Sequence, residues 1–203
     1  ENEEVSYADY VAEEKAAEGG EEYNPAKEFF KTRLQDCEAA TEVQPDMPTP
    51  GKGTISKANA PIDMDAIGAF CRSCGITPAH LMLAATYYVL SRFANNEQIC
   101  ITTVSGGRSN LSIRNTVGWF VNTLALSAKI GQQSVKDFLQ EVSADFDNTL
   151  SHENYPFAQI AADYGLTAEI QFVYQLGVIS RYICNGTPLK IESLELNTPK
   201  FPI

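Results

Sequence analysis

Apolar positions recur along this chain at two spacings, every second residue in some stretches and every third or fourth in others. The pattern predicts strands alternating with helices. The most strongly patterned strand runs from Val117 to Ser127, VGWFVNTLALS. It is rich in β-branched and aromatic residues, with Gly118 near its start and Lys129 and Gly131 beyond its end. Alternation puts Trp119, Val121, Thr123 and Ala125 on one face and Phe120, Asn122, Leu124 and Leu126 on the other. Both faces are mostly apolar, which predicts a strand covered on both sides. Asn122 breaks the pattern. A buried carboxamide without partners costs about 1–3 kcal/mol, so Asn122 is expected to be buried and hydrogen-bonded to a neighbouring segment.

The flanking chain completes a layered arrangement. Residues 3–18 carry a narrow apolar stripe (Val5, Tyr7, Tyr10, Val11) at helical spacing, stopped by Gly19-Gly20. A second helix has Pro25 near its start and Phe29, Phe30 and Leu34 on its apolar side. Residues 53–60 read as a strand ending at Pro61. Asp63 then caps a helix bearing Met64, Ile67, Phe70 and Cys71. Thr77-Pro78 opens another, whose broad face of Leu81, Leu83, Tyr87, Tyr88 and Leu90 predicts deep burial; Asn95-Asn96 ends it. A strand over 99–104 runs into the turn Ser105-Gly106-Gly107-Arg108. Ser134 caps a helix carrying Val135, Phe138, Leu139, Val142 and Phe146, and Pro156 starts a shorter one ending near Tyr164. Residues 170–174 and 189–196 read as two further strands. Helices between strands point to an α/β fold, a layered α+β sandwich.

Composition narrows the class. A chain of 203 residues with 44% hydrophobic content buries one sizeable core, one domain or a large part of one. A net charge of −11 argues against nucleic acid, whose phosphates need Lys and Arg. The acidic run Glu13, Glu14, Glu18, Glu21, Glu22 reads as a solvated face. No apolar run approaches the ~20 residues of a membrane span. Glu1, Glu3 and Glu4 open the chain in place of an apolar signal region, so a cytoplasmic location is expected. Five cysteines, an odd number without framework spacing, fit reduced thiols there. The sequons at Asn110 and Asn185 then read as chance.

Candidate chemistry is sparse. Cys71-Arg72-Ser73-Cys74 places two thiols on one helix face, but zinc needs four ligands and a redox CxxC belongs at a helix start, so packing is the expected role and no metal is expected. Of the two histidines, His80 falls in a first helical turn, where a surface or capping role is the default. His152 precedes Tyr155-Pro156-Phe157, and neither an orienting partner nor an acyl acceptor accompanies it; fixing a helix start is its expected role. No GxSxG, HExxH or Gly-rich phosphate loop occurs. Ser105-Gly106-Gly107-Arg108 has the makings of an anion nest, although a tight turn whose Arg pairs with an acidic neighbour is the stronger expectation.

Three segments together carry a family resemblance. GWFVNTLAL at 118–126 resembles the (I/V)GxFVNT motif of nonribosomal peptide synthetase condensation domains. Tyr7-Ala8-Asp9-Tyr10 resembles their YxDYAxW, with Glu13 or Glu14 where a Trp is expected, and His152-Glu153-Asn154-Tyr155-Pro156-Phe157 resembles (H/N)QDYPFE. Their order and approximate spacing are the family's. Ser105-Gly106-Gly107-Arg108 resembles GxPxxGR, with Arg108 in the Arg place. The chain departs from the pattern at Ser127, where an Arg closes the FVNT motif, and in lacking a recognisable RDxSRNPL near 167–170. The family's catalytic HHxxxDG, expected ahead of the tyrosine motif, does not occur in these residues.

The resemblance implies the C-terminal lobe of a coenzyme A-dependent acyltransferase-like fold, a single partial domain over 1–203. Residues 1–52 would be a helical lead-in and proline-rich connector (Pro45, Pro48, Pro50), and 53–203 the α/β lobe. In the complete family enzyme two lobes enclose a tunnel. There a donor acyl or peptidyl thioester meets an acceptor aminoacyl thioester, and the second His of HHxxxDG promotes amide formation. The implied partners are an N-terminal condensation lobe, carrier domains bearing 4'-phosphopantetheine and neighbouring adenylation domains; no cofactor binds this chain directly. Gly118, Asn122, Thr123, His152, Tyr155 and Arg108 are the candidate tunnel and lobe-interface residues, none of them catalytic. Self-association through the exposed lobe face is also expected. The alternative is a degenerate lobe serving as a non-catalytic docking module.

Overall fold

The computed structural model describes residues 5–17, 20–37, 39–44 and 58–175, with short backbone stretches at 183–184 and 187–188. Two helices lead in: α1 (Tyr7–Ala17) and α2 (Asn24–Leu34), the latter with Pro25 in its first turn, where a missing N–H costs nothing. Side-chain caps set the next starts. α3 (Met64–Cys74) begins where the Asp63 carboxylate accepts the N–H groups of Asp65 and Ala66, at 3.1 and 2.9 Å. α4 (Pro78–Phe93) begins at Thr77, in a reciprocal cap with His80. α5 (Val135–Leu150) begins at Ser134, whose hydroxyl accepts from Asp137 N, and α6 (Phe157–Tyr164) follows Pro156. Among the described residues, no helix is long and apolar enough to cross a membrane.

A sheet with its first strand in the middle lies between these helices. β1 (Gln98–Ser105) pairs antiparallel with β2 (Asn122–Lys129), from Gln98 opposite Lys129 to Ser105 opposite Asn122. β3 (Gln171–Phe172) lies parallel to β1 on its other side. A separate two-residue pairing joins β4 (Ile183–Cys184) to β5 (Thr187–Pro188). Alternation along the strands feeds two cores. Ile99, Ile101, Leu126 and Ala128 pack with Cys71, Leu83, Tyr87, Leu139 and Val142 of α3–α5. Cys100 and Ala125 pack with Phe30, Leu34, Tyr155 and Ile160 on the α2 and α6 side. The strand is covered on both sides, as the pattern predicts, but only from Leu124 to Ala128.

Several expectations are corrected. β2 starts at Asn122 rather than Val117, because β1 ends opposite Asn122 and the chain turns away at Gly106-Gly107, leaving 117–121 no strand to pair with. Val117 and Trp119 stand 93% and 74% exposed, whereas Phe120 is buried. On α4 the buried stripe is His80, Leu83, Ala84, Tyr87, Leu90 and Ser91. Leu81 is half-buried and Tyr88 exposed, because two layers leave the outer half of this helix in solvent. Met64 and Phe70 of α3 are likewise exposed. His80 caps α4 but is buried: its Nδ1 lies 2.8 Å from Ser143 Oγ and its Nε2 3.3 Å from Asp147. In place of a strand over 170–174 there are two paired residues. The strand read over 53–60 lies mostly outside the described residues, and 58–60 is not a strand. Pro45, Pro48, Pro50 and the strand read over 189–196 lie outside them altogether.

Candidate functional site

The loop between β1 and β2 is built around one guanidinium. Arg108 donates from Nη1 to the carbonyl oxygens of Ile113 (2.8 Å), Thr116 (2.9 Å) and Arg114 (3.3 Å), and from Nη2 to Gly118 O (3.3 Å). Its other face lies 4.3 Å from the Phe120 ring centroid. These carbonyls have no strand partner, so the cation satisfies backbone that the sheet cannot. Among the described residues, Arg108 faces these carbonyls and Phe120 rather than an acidic side chain.

The nest beside it is occupied by Glu153. One carboxylate oxygen accepts Ser109 N–H at 3.0 Å and the other accepts the Ser105 hydroxyl, whose oxygen in turn accepts Gly107 N–H at 3.1 Å. Burial pushes the Glu153 carboxyl up, but these hydrogen bonds outweigh it and hold it below the usual glutamate range. A depressed carboxylate contributes stability above its unfolded pKa and loses it as pH falls through the folded value. The denaturation midpoint is therefore expected to drop as pH goes below about 4, and Glu153→Gln should show a shallower drop in that window. Parallel pH curves for the two proteins would count against this role.

The segment 152–156 is clamped to the start of β2. Asn122 Nδ2 donates to Glu153 O and Tyr155 O, both at 2.8 Å. Asn122 is thus hydrogen-bonded to a neighbouring segment as expected, although half-buried rather than buried. Asn122→Leu should strand both carbonyls and lower the unfolding free energy by about 1–3 kcal/mol at constant denaturant m-value. An unchanged midpoint would remove the clamp role. Tyr155 is buried, stacked on Phe30 at 5.6 Å between ring centroids. His152 lies flat on Phe29, 4.4 Å between ring centroids, and its Nδ1 donates to Asn148 O at 2.8 Å. It finishes the last turn of α5 rather than fixing the start of α6, because the free carbonyls at a helix end need donors.

α1 closes the site. Tyr7 Oη donates to Trp119 O at 3.0 Å, and the Tyr7 and Tyr10 rings meet Phe120 edge-on at 5.3 and 4.7 Å. A Cβ on Gly118 would lie 2.3 Å from the Tyr7 ring, so the absence of a side chain at Gly118 is what admits Tyr7. A cavity of about 400 Å³ opens where these segments meet, lined among others by Tyr10, Glu14, Trp119, Asn122, Glu153 and Asn154. Of the six candidate residues only Asn122 lines it. Arg108, Gly118 and Tyr155 support its walls, His152 stands behind it, and Thr123 sits opposite Val104 in the ladder. Glu153, Tyr10 and Trp119 all sit in the motif segments but escaped selection, since their partners come from distant segments. Where the resemblance places an Arg at Ser127, another guanidinium arrives: Arg33 of α2 pairs with Asp145 and donates to Ser127 O at 3.4 Å. Among the described residues, no cluster of three or more His, Cys, Asp or Glu is placed to hold a metal.

A small sheet between helical layers, with this cavity at one end of its central ladder, is the coenzyme A-dependent acyltransferase-like architecture. The family model for the condensation domain matches residues 1–178, and the chain belongs to that family, as found in nonribosomal peptide synthetases. Malpibaldin synthetase of Mortierella alpina is 24% identical over 98% of this chain. Tyrocidine synthase 3 of Brevibacillus parabrevis is 30% identical over 61% of it. The chain spans only 4% and 2% of those relatives. The SgcC5 protein of Streptomyces globisporus superposes with a TM-score of 0.67 at 27% identity, over 80% of this chain and 38% of that one. The teicoplanin X-domain, solved in complex with OxyB, superposes at 0.70 and 16% identity, over 97% of this chain and 47% of that one, which speaks to the fold alone.

Proposed function

We propose that this chain is the C-terminal lobe of a condensation domain, with 1–52 as lead-in and connector and 53–203 as the lobe. It supplies one wall of the tunnel in which a carrier-bound donor thioester meets a carrier-bound aminoacyl acceptor. The observation that carries this reading is the convergence of the tyrosine, FVNT-like and YPF-like segments on a single cavity. These residues position rather than react. Arg108 gathers the loop carbonyls, Asn122 and Glu153 lock the far wall, and Tyr7 fills the notch at Gly118. The partner lobe brings HHxxxDG, the carrier domains bring their phosphopantetheine arms, and adenylation domains load them, all in the cytoplasm.

The apolar loop residues Leu111, Val117 and Trp119 face the partner lobe on this reading, and without it the chain self-associates through them. The test loads donor and acceptor carrier proteins and measures amide-linked thioester with this chain alone and with an HHxxxDG lobe added in trans. Product from the chain alone overturns the reading. The alternative reading is a degenerate lobe serving as a non-catalytic docking module. That reading expects no product in either arm.

A further inference from the structure

On the α2 side of the sheet, away from the cavity just described, two free thiols meet. Cys37 follows α2 by three residues and Cys100 lies in β1; both are buried in the same core. The chain after α2 is tied to the strand at this level. Cys100 N–H donates to Thr41 Oγ1, and Thr41 N–H to Cys100 O, both at 2.8 Å. Cys37 and Cys100 share this core, and the amide of Gln98, two residues before Cys100 on β1, donates to Cys37 Sγ at 3.6 Å. A second cavity of about 420 Å³ opens here, lined by Cys37, Thr41, Glu42, Asn96 and Gln98. Cys37 lines it and Cys100 lies behind.

We infer that Cys37 and Cys100 form an oxidation site, at which a hydroperoxide admitted by this cavity closes a disulfide between the post-α2 segment and β1. This proposal stands independently of the condensation-lobe reading. Access assigns the order of attack: Cys37 lines the cavity and Cys100 does not. Hydrogen bonding to Cys37 lowers its thiol, while the neighbouring Cys37 and burial push the Cys100 thiol up. Cys37 thiolate attacks one oxygen of hydrogen peroxide. The O–O bond breaks, hydroxide leaves and takes up the proton Cys37 released, and Cys37 becomes a sulfenic acid. The Cys100 sulfur then attacks the sulfenic sulfur. The S–S bond forms, and the departing hydroxide takes the Cys100 proton as water. One peroxide is reduced to two waters as two thiols are oxidised.

Cys71 and Cys74 provide an internal comparison. They sit in the last turn of one helix, and burial pushes the Cys71 thiol up by more than the nearby Arg72 guanidinium lowers it. The experiment treats the full chain with one equivalent of hydrogen peroxide near pH 7, blocks remaining thiols with N-ethylmaleimide and maps the peptides by mass spectrometry. The expected product is a Cys37–Cys100 cross-linked peptide pair, lighter by about two hydrogens and reversed by dithiothreitol. Its unfolding midpoint should rise by several degrees over the reduced protein. Cys100→Ser should stop the reaction at a Cys37 sulfenic acid trapped by dimedone. A Cys71–Cys74 bridge, a bridge to Cys184, or peroxide-treated protein whose Cys37 still alkylates fully would overturn the proposal. The wild-type peptide map decides it even if a variant fails to fold.

Discussion

With donor and acceptor carrier proteins loaded, this chain alone is expected to yield no amide product above background, and an HHxxxDG lobe added in trans is expected to raise it by at least ~10²-fold. Thioester aminolysis needs the amine held against the carbonyl, a group to manage its proton and donors for the tetrahedral oxyanion. On the proposed reading the cavity between Asn122, Glu153 and Trp119 supplies a wall, and no imidazole of the described residues lines it. Acid–base assistance contributes typically ~10²–10⁴-fold, which sets the size of the expected gain. His152 is the only histidine near, and it is committed elsewhere: its ring stacks on Phe29, its Nδ1 serves Asn148 O, and it does not line the cavity. His152→Ala is accordingly expected to leave the two-lobe activity within about threefold, a positioning-scale effect. Activity of the chain alone that vanishes in His152→Ala would make this imidazole catalytic and reverse the reading.

Gly107→Ala is expected to destabilise the protein far more than Gly75→Ala, although the two glycines share nearly the same backbone conformation. Their φ angles are +63° and +68°. An L-residue held in that region costs roughly 1–2 kcal/mol, the whole expected loss at Gly75, where an added Cβ meets nothing within 4 Å. At Gly107 the Cβ would lie 2.0 Å from Phe120 O, a backbone atom that no rotamer change can move aside. Relieving the clash means shifting the loop at Phe120, whose ring carries the contacts to Tyr7, Tyr10 and Arg108. Overpacking of this kind typically adds about 1–3 kcal/mol, giving a total of about 2–5 kcal/mol for Gly107→Ala. Denaturant midpoints of the two variants are the check. Equal losses would show that the 118–122 loop yields freely, which would remove the preorganised wall from the functional proposal.

What the sequence determined by itself was local. Asp63, Thr77 and Ser134 announce helix starts because a cap acts within three residues of itself. Near-continuous apolar and β-branched runs at 99–104 and 124–128 mark the strands because both sides of the sheet are covered. The three motif segments were legible as a family pattern, and Asn122 stood out as a polar residue that would need partners. Tertiary structure decided where those partners lie. GWFV reads as strand from composition, yet 118–121 has no neighbour to pair with, and Arg108 rather than a ladder satisfies the Gly118 carbonyl. Glu153 reads as one more surface acid until the fold brings it to Ser105 and Ser109, more than forty residues away in the chain. Cys37 and Cys100 lack framework spacing, and only the packing of the post-α2 segment on β1 makes them a pair. A cap or a strand period acts over neighbouring residues, whereas a hydrogen bond, an ion pair or a thiol contact forms wherever the chain's packing brings two groups within a few ångströms, whatever their separation in sequence.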